Sequence, residues 1–187
     1  MSPALPPTAG QTVGPFFGYA LPYDRDSELV PPGHPRAVRL SGRVIDGAGQ
    51  PVPDALLELW QPDEAGSVVQ QEGSLRRDGW TFTGWGRAST DDTGTYTFTT
   101  LKPGAEPGKA GFFLITLFAR GLPNRLFTRA YLPQDAAVLD SDPLLSSLPE
   151  PERATLISRA DEGGFRFDIV MQGEGETVFL RYPDTEG

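Results

Sequence analysis

Phe112-Phe113-Leu114-Ile115-Thr116-Leu117-Phe118 is a continuous apolar run of strand length, fenced by Gly111 before it and Gly121 shortly after. A short apolar run rich in aromatic residues and bounded by glycines reads as a strand in the middle of a sheet. The flanking sequence continues the pattern. Residues 126–132 (LFTRAYL) read as the next strand, and Ala55-Leu56-Leu57-Glu58-Leu59-Trp60 as a buried one. Val38, Leu40 and Val44 alternate, and Gly42 among them marks a bulge or a close contact. Asp91-Asp92-Thr93-Gly94 is a turn that feeds Tyr96 and Phe98 on one face and Thr95, Thr97 and Thr99 on the other. Residues 165–170 alternate again, and residues 177–180 read as the last strand. Only residues 149–160 read as helix, with Pro and Glu early and Arg late, as the helix dipole prefers. The expected fold is all-β: an antiparallel β-sandwich of roughly eight strands with one short late helix.

The first 36 residues have a different character. Pro3, Pro6, Pro7, Pro15, Pro22, Pro31, Pro32 and Pro35 deny this segment regular structure. It nevertheless carries Phe16, Phe17, Tyr19, Leu21 and Tyr23, which have to be buried on the chain's own body or on a neighbour. The sequence therefore divides into an irregular N-terminal arm, 1–36, and a sandwich body, 37–187.

With 187 residues the chain has the length of one domain, and 38% hydrophobic residues are enough for a core. The formal charge is −9, from 16 basic and 25 acidic residues. Such a surface repels phosphate backbones, so neither nucleic acid nor an anionic membrane is an expected partner. The absence of cysteine excludes disulfides, thiol catalysis and thiolate metal sites. A single histidine, His34, excludes any multi-histidine metal site within the chain. No basic and apolar leader opens the sequence and no run of about 18 apolar residues occurs, so a cytoplasmic, soluble protein is expected.

Most polar motifs have a plain structural reading. His34, in Pro-Pro-Gly-His-Pro, reads as a loop residue. Asp91-Asp92-Thr93-Gly94 lacks the spaced oxygens of a calcium loop and reads as a hairpin turn. Gly173-Glu174-Gly175-Glu176 is no phosphate cradle, since its carboxylates repel phosphate and no helix follows. Asp54 and Glu58 are a weak candidate for a carboxylate pair. Arg129 stands out because strand alternation puts it on one face with Phe127 and Tyr131. An arginine between aromatics is either a snorkelling edge residue or a held guanidinium that recognises a carboxylate.

Several stretches together carry a family resemblance along almost the whole chain. They are Gln11-Thr12-Val13-Gly14-Pro15-Phe16, Leu57-Glu58-Leu59-Trp60-Gln61 with Ala65-Gly66, Gly86-Arg87, Lys102-Pro103-Gly104, Leu117-Phe118-Ala119-Arg120-Gly121 and Thr128-Arg129. The tail from Phe165 through Gln172-Gly173-Glu174-Gly175-Glu176-Thr177-Val178-Phe179 completes the set. The chain resembles the intradiol ring-cleavage dioxygenases, and within them the α type of a two-subunit enzyme. Catalytic members hold Fe(III) through two tyrosinates and two histidines, a hard anionic set completed by imidazoles. By the resemblance, the His-x-His positions are Phe112 and Leu114 here, one tyrosinate position is Glu106, and residues 61–87 contain no tyrosine for the other.

The resemblance thus implies the non-metal half of a heteromer. This chain would bind no metal and carry no catalytic group. Fe(III) would sit in a partner β subunit, within a larger symmetric hetero-oligomer. The shared pocket would take a small aromatic carboxylate, 3,4-dihydroxybenzoate, and open its ring with O₂ to 3-carboxy-cis,cis-muconate. The resemblance assigns substrate-binding roles to Thr12, Gly14, Pro15 and Arg129. Gly14 would let backbone approach a flat ring, Pro15 would fix the chain direction, and the Arg129 fork would suit a carboxylate better than a lysine. Two other readings remain. One is a stand-alone binding module of transthyretin-like sandwich type. The other, a self-sufficient dioxygenase, fails on the histidine count.

Overall fold

The computed structural model describes residues 10–14 and 17–182. Among the described residues nine strands form two sheets. They are β1 (Val38–Ile45), β2 (Leu56–Trp60), β3 (Trp85–Ser89), β4 (Thr95–Thr100), β5 (Phe112–Phe118), β6 (Leu126–Tyr131), β7 (Arg159–Asp161), β8 (Gly164–Arg166) and β9 (Ile169–Val170). The first sheet runs β4-β1-β8-β7 with β9 also on β1, and the second runs β3-β2-β5-β6. Strand alternation sorts the side chains. Phe113, Ile115 and Leu117 of β5 point into the sandwich with Leu57, Leu59 and Ala130, against Leu40, Val44, Tyr96 and Phe98 of the first sheet. Their burial supplies the main stabilisation, at about 25 cal/mol per Å² of apolar surface. The expected all-β sandwich is the observed one.

Four details differ from the sequence reading. The sheets are not wholly antiparallel, because β8 and β9 both pair parallel with β1. The expected helix over residues 149–160 stops early. Helix α4 covers Glu150–Ala154, then Ile157 bridges Tyr131 and the chain enters β7. Pairing with the open edge of β6 prevails there over helix propensity in a Thr-Leu-Ile-Ser stretch whose β-branched residues favour strand. Two further short helices, α2 (Ala136–Ser141) and α3 (Pro143–Ser147), precede α4, and one turn of helix, α1, covers Phe17–Ala20. Residues 177–180 form no strand; they meet β6 through one backbone bridge, Phe127 to Leu180, and through the Thr128 hydroxyl, which donates to the Val178 carbonyl.

Gly42 is a close contact rather than a bulge. A Cβ there would lie 1.8 Å from the carbonyl oxygen of Phe167. The same oxygen accepts a 2.6 Å hydrogen bond from the buried Tyr96 hydroxyl, whose pKa burial pushes far up.

The N-terminal segment is fixed to the body by backbone and arginine contacts. Leu29 and Val30 are buried, and both donate to the Thr99 carbonyl. Arg77 reaches back to the carbonyls of Arg25, Asp26 and Trp85, and Tyr23 donates to the Ser74 carbonyl. Arg87 donates to the Leu21 carbonyl while holding Glu58 at 2.6 Å. Arg77→Ala leaves three carbonyls without this donor. It is expected to increase the rate of limited proteolysis within residues 20–28 about tenfold, with the global unfolding midpoint changing far less. An unchanged cleavage rate would show that Arg77 does not hold the segment.

Candidate functional site at the outer face of the second sheet

The outward face of the second sheet is unusual because its central strand β5 presents Phe112, Leu114 and Phe118 there, with Thr116 among them. Register places Trp85, Trp60, Leu114 and Arg129 in one row across the four strands, and Arg87, Glu58, Thr116 and Phe127 in the next. Phe112 lies opposite Tyr131, with ring centroids 5.3 Å apart. A shallow niche of about 100 Å³ opens beside this face, lined by Trp60, Val68, Ala105, Glu106, Lys109 and Phe112 among others. Phe112 and Glu106, the counterparts of two ligands in the resemblance, therefore line one niche. Loops 63–67 and 103–106 press together beneath it. A Cβ on Gly104 would meet the Glu64 carbonyl oxygen at 2.3 Å.

This face does not fit a ferric ion. Among the described residues no cluster of three or more His, Asp or Glu side chains could hold a metal. Fe(III) favours several hard anionic donors. The niche offers one carboxylate, Glu106, and Lys109 already holds it at 2.6 Å, which keeps its pKa below the usual carboxylate range.

Arg129 is the polar centre of the face. Its guanidinium lies over the Phe112 ring, 4.2 Å from the centroid. Nη1 donates to the Tyr131 hydroxyl at 3.0 Å, and that hydroxyl donates to Asp142 Oδ1 at 3.1 Å. Nε is buried with no acceptor among the described residues. Burial opposes the Arg129 charge, but the hydroxyls of Tyr131 and Tyr182 outweigh it and raise its pKa. Burial also pushes Tyr131 up to about 12, so its hydroxyl stays protonated. Asp142 is 2% exposed and caps α3 by accepting from the Leu144 and Leu145 amides, while Oδ2 accepts from Ala110. The Asp-Pro pair at 142–143 is an N-cap signal in the sequence that the strand pattern overshadowed.

The other expected site residues lie elsewhere. Thr12 Oγ1 accepts from the Gly121 amide at 2.7 Å and ties the N-terminal segment to the β5–β6 turn. Gly14 is exposed, and an added Cβ would meet nothing within 4 Å, so nothing among the described residues requires glycine there. Pro15 lies outside the described residues. No hydrogen bond joins Thr12 or Gly14 to Arg129 among the described residues. The minor motifs keep their structural readings. His34 Nδ1 accepts from the Arg36 amide, Asp91 closes the turn into β4, and Asp54 and Glu58 pair with different arginines.

Comparison with known proteins follows the same division. A family model described as Dioxygenase matches residues 12–112, more than half of the chain. The chain is 38% identical to the protocatechuate 3,4-dioxygenase alpha chain of Burkholderia cepacia, over 94% of this chain and 98% of that one. It is also 38% identical to the alpha chain from Pseudomonas putida, over 95% and 98%. The chain belongs to the intradiol dioxygenase family. The beta chain of the Burkholderia cepacia protein is a further relative, at 36% identity over 86% of this chain and 76% of that one. Relatives thus occur as distinct alpha and beta chains, and this member aligns with the alpha chains over nearly their full length. Among solved structures, the dioxygenase domain of a carbohydrate-binding fusion from Streptomyces sp. SirexAA-E superimposes with a TM-score of 0.57 at 26% identity, covering 90% of this chain and 99% of that one. A hydroxyquinol 1,2-dioxygenase from Pseudomonas putida DLL-E4 shares the fold at 18% identity, with the same TM-score of 0.57 over 87% and 65% of the two chains. No helix among the described residues is long and apolar enough to cross a membrane.

Proposed function

We propose that this chain is the non-metal α subunit of a protocatechuate 3,4-dioxygenase. It would complete the active-site pocket of a β subunit that holds Fe(III), within a larger symmetric hetero-oligomer. The observation that carries the reading is the family's sheet face occupied by Phe112, Leu114 and an ion-paired Glu106, in a chain that matches named alpha chains end to end. A stand-alone binding module has no comparable support.

The reaction is the O₂-dependent ring opening of 3,4-dihydroxybenzoate between its hydroxylated carbons to 3-carboxy-cis,cis-muconate. Ring-opening chemistry belongs to the partner's iron. This chain contributes positioning, closure and assembly, which lower a barrier by fixing reactants in place. The arm, residues 1–36, reaches the partner's pocket through Thr12, Gly14 and Pro15. The unobstructed Gly14 leaves its backbone free to approach a flat ring, and the Thr12 hydroxyl keeps a proton to donate while it accepts from Gly121. Arg129 faces the carboxylate of the substrate. Its buried, unpartnered Nε is the donor that such a group would satisfy.

Iron content and visible absorbance test the division of labour. The chain expressed alone is expected to be colourless and iron-free. Co-expressed with a β chain, it is expected to give about one ferric ion per αβ pair and a tyrosinate-to-iron colour. Stoichiometric iron in the lone chain would overturn the proposal.

A further inference from the structure

We propose that Tyr131 is a positioning residue that aims the Arg129 guanidinium, with the buried Asp142 carboxylate as its fixed anchor. The inference rests on the proposed role of Arg129 and adds to it the device that holds this residue. An arginine side chain has several rotatable bonds and loses much entropy when fixed, so a recognition fork works best when other groups already hold it. Here the support is layered. Phe112 supplies a floor for the guanidinium plane at 4.2 Å. Tyr131 accepts from Nη1 at 3.0 Å, which fixes rotation within that plane.

The Tyr131 hydroxyl is itself oriented. It donates to Asp142 Oδ1, so its lone pairs turn toward Arg129. Asp142 cannot drift, because the Leu144, Leu145 and Ala110 amides all donate to it. These bonds tie β6 to the start of α3 and to the loop before β5. The chain of contacts leaves Nε without an acceptor among the described residues, which suits one oxygen of a carboxylate. Tyr182 packs edge-on against Phe127 at 5.3 Å, on the same face of β6.

Tyr131→Phe isolates the effect. The ring stays in its cluster with Leu139, Leu145 and Leu156, and Asp142 keeps its amide donors. The acceptor for Nη1 is lost, and with it one of the donors to Asp142. In the assembled αβ enzyme, KM for 3,4-dihydroxybenzoate is expected to rise about tenfold, the factor for one charge-assisted hydrogen bond, with kcat changed less than twofold and KM for unsubstituted catechol unmoved.

A double-mutant cycle with Arg129→Ala separates positioning from a structural role. If Tyr131 acts through Arg129, adding Tyr131→Phe to Arg129→Ala produces no further loss of carboxylate selectivity. A full further loss in that background, or equal loss on both substrates, would overturn the proposal. If Arg129→Ala leaves selectivity intact, the role of Arg129 fails and the positioning role with it. If Arg129→Ala abolishes selectivity while Tyr131→Phe preserves it, only the positioning role fails. Should Tyr131→Phe fail to assemble, Asp142→Asn gives the second reading. It keeps the shape at the cap and weakens the anchor, so a smaller rise in KM confined to the carboxylated substrate is expected, and no rise counts against the proposal.

Discussion

Gly42→Ala is expected to lower stability by about 3 kcal/mol, which for a domain of this size lowers the unfolding midpoint by about 10 °C. The reason is local and steric. The new methyl would sit 1.8 Å from the Phe167 carbonyl oxygen, 2.6 Å from its carbon and 2.9 Å from the Tyr96 hydroxyl. Backbone atoms cannot rotate out of the way as a flexible side chain tip can. The crossing of the segment between β8 and β9 over β1 would have to open. That would break the Tyr96 to Phe167 hydrogen bond and the Phe167 amide's bond to the Ser41 carbonyl. Gly33→Ala is the control, since a Cβ there meets nothing within 4 Å. It should shift the midpoint by no more than about 2 °C, within the range of neutral surface changes. A Gly42→Ala protein that melts with the wild type would show that the crossing can relax, and the close approach would lose its structural importance.

Arg129→Ala in the assembled enzyme should lower kcat/KM for 3,4-dihydroxybenzoate by about a hundredfold. Truncating one partner of a desolvated charge pair costs roughly 2–5 kcal/mol, and each 1.4 kcal/mol is a factor of ten. Most of the loss should appear in KM, because the interaction is with a group remote from the bonds that change. Catechol without the carboxylate is the internal control and should lose little. Equal losses on both substrates would mean that the substitution acts through folding or assembly. The lone chain's unfolding midpoint decides between those two, since Arg129 also packs on Phe112 and Tyr131 within its own chain.

The sequence made the sandwich legible where one chemical pattern had one structural solution. The run 112–118 read as a central strand, and the alternation at 126–132 placed Arg129 on one face with Phe127 and Tyr131, as observed. Gly42 was visible as an interruption of an otherwise regular strand, but the interruption alone did not decide between a bulge and a close contact. Long-range choices were not legible. Nothing local in Phe165-Arg166-Phe167-Asp168-Ile169 says that both halves will lie parallel to β1, because strand direction is set by where the chain has already been. Helix propensity in 149–160 was real but lost to an open strand edge. At the candidate site, the histidine count spoke only against a multi-histidine metal site within the chain. The Tyr131–Asp142 support for Arg129 could not be read, since it joins residues eleven apart across a strand end and a helix cap.

Phe112 under the Arg129 guanidinium has an evolutionary consequence. The resemblance would put a histidine ligand at this position, and here it is the floor on which a cation rests. Returning histidine to it would remove that floor and set a second titratable base beside a guanidinium, while supplying only one donor of the several an iron centre needs. Any path to a metal centre here must therefore damage the existing fork before a new site gains function. The contact works as a ratchet: with a guanidinium resting on the ring, no single substitution at Phe112 gains a metal site without loosening Arg129.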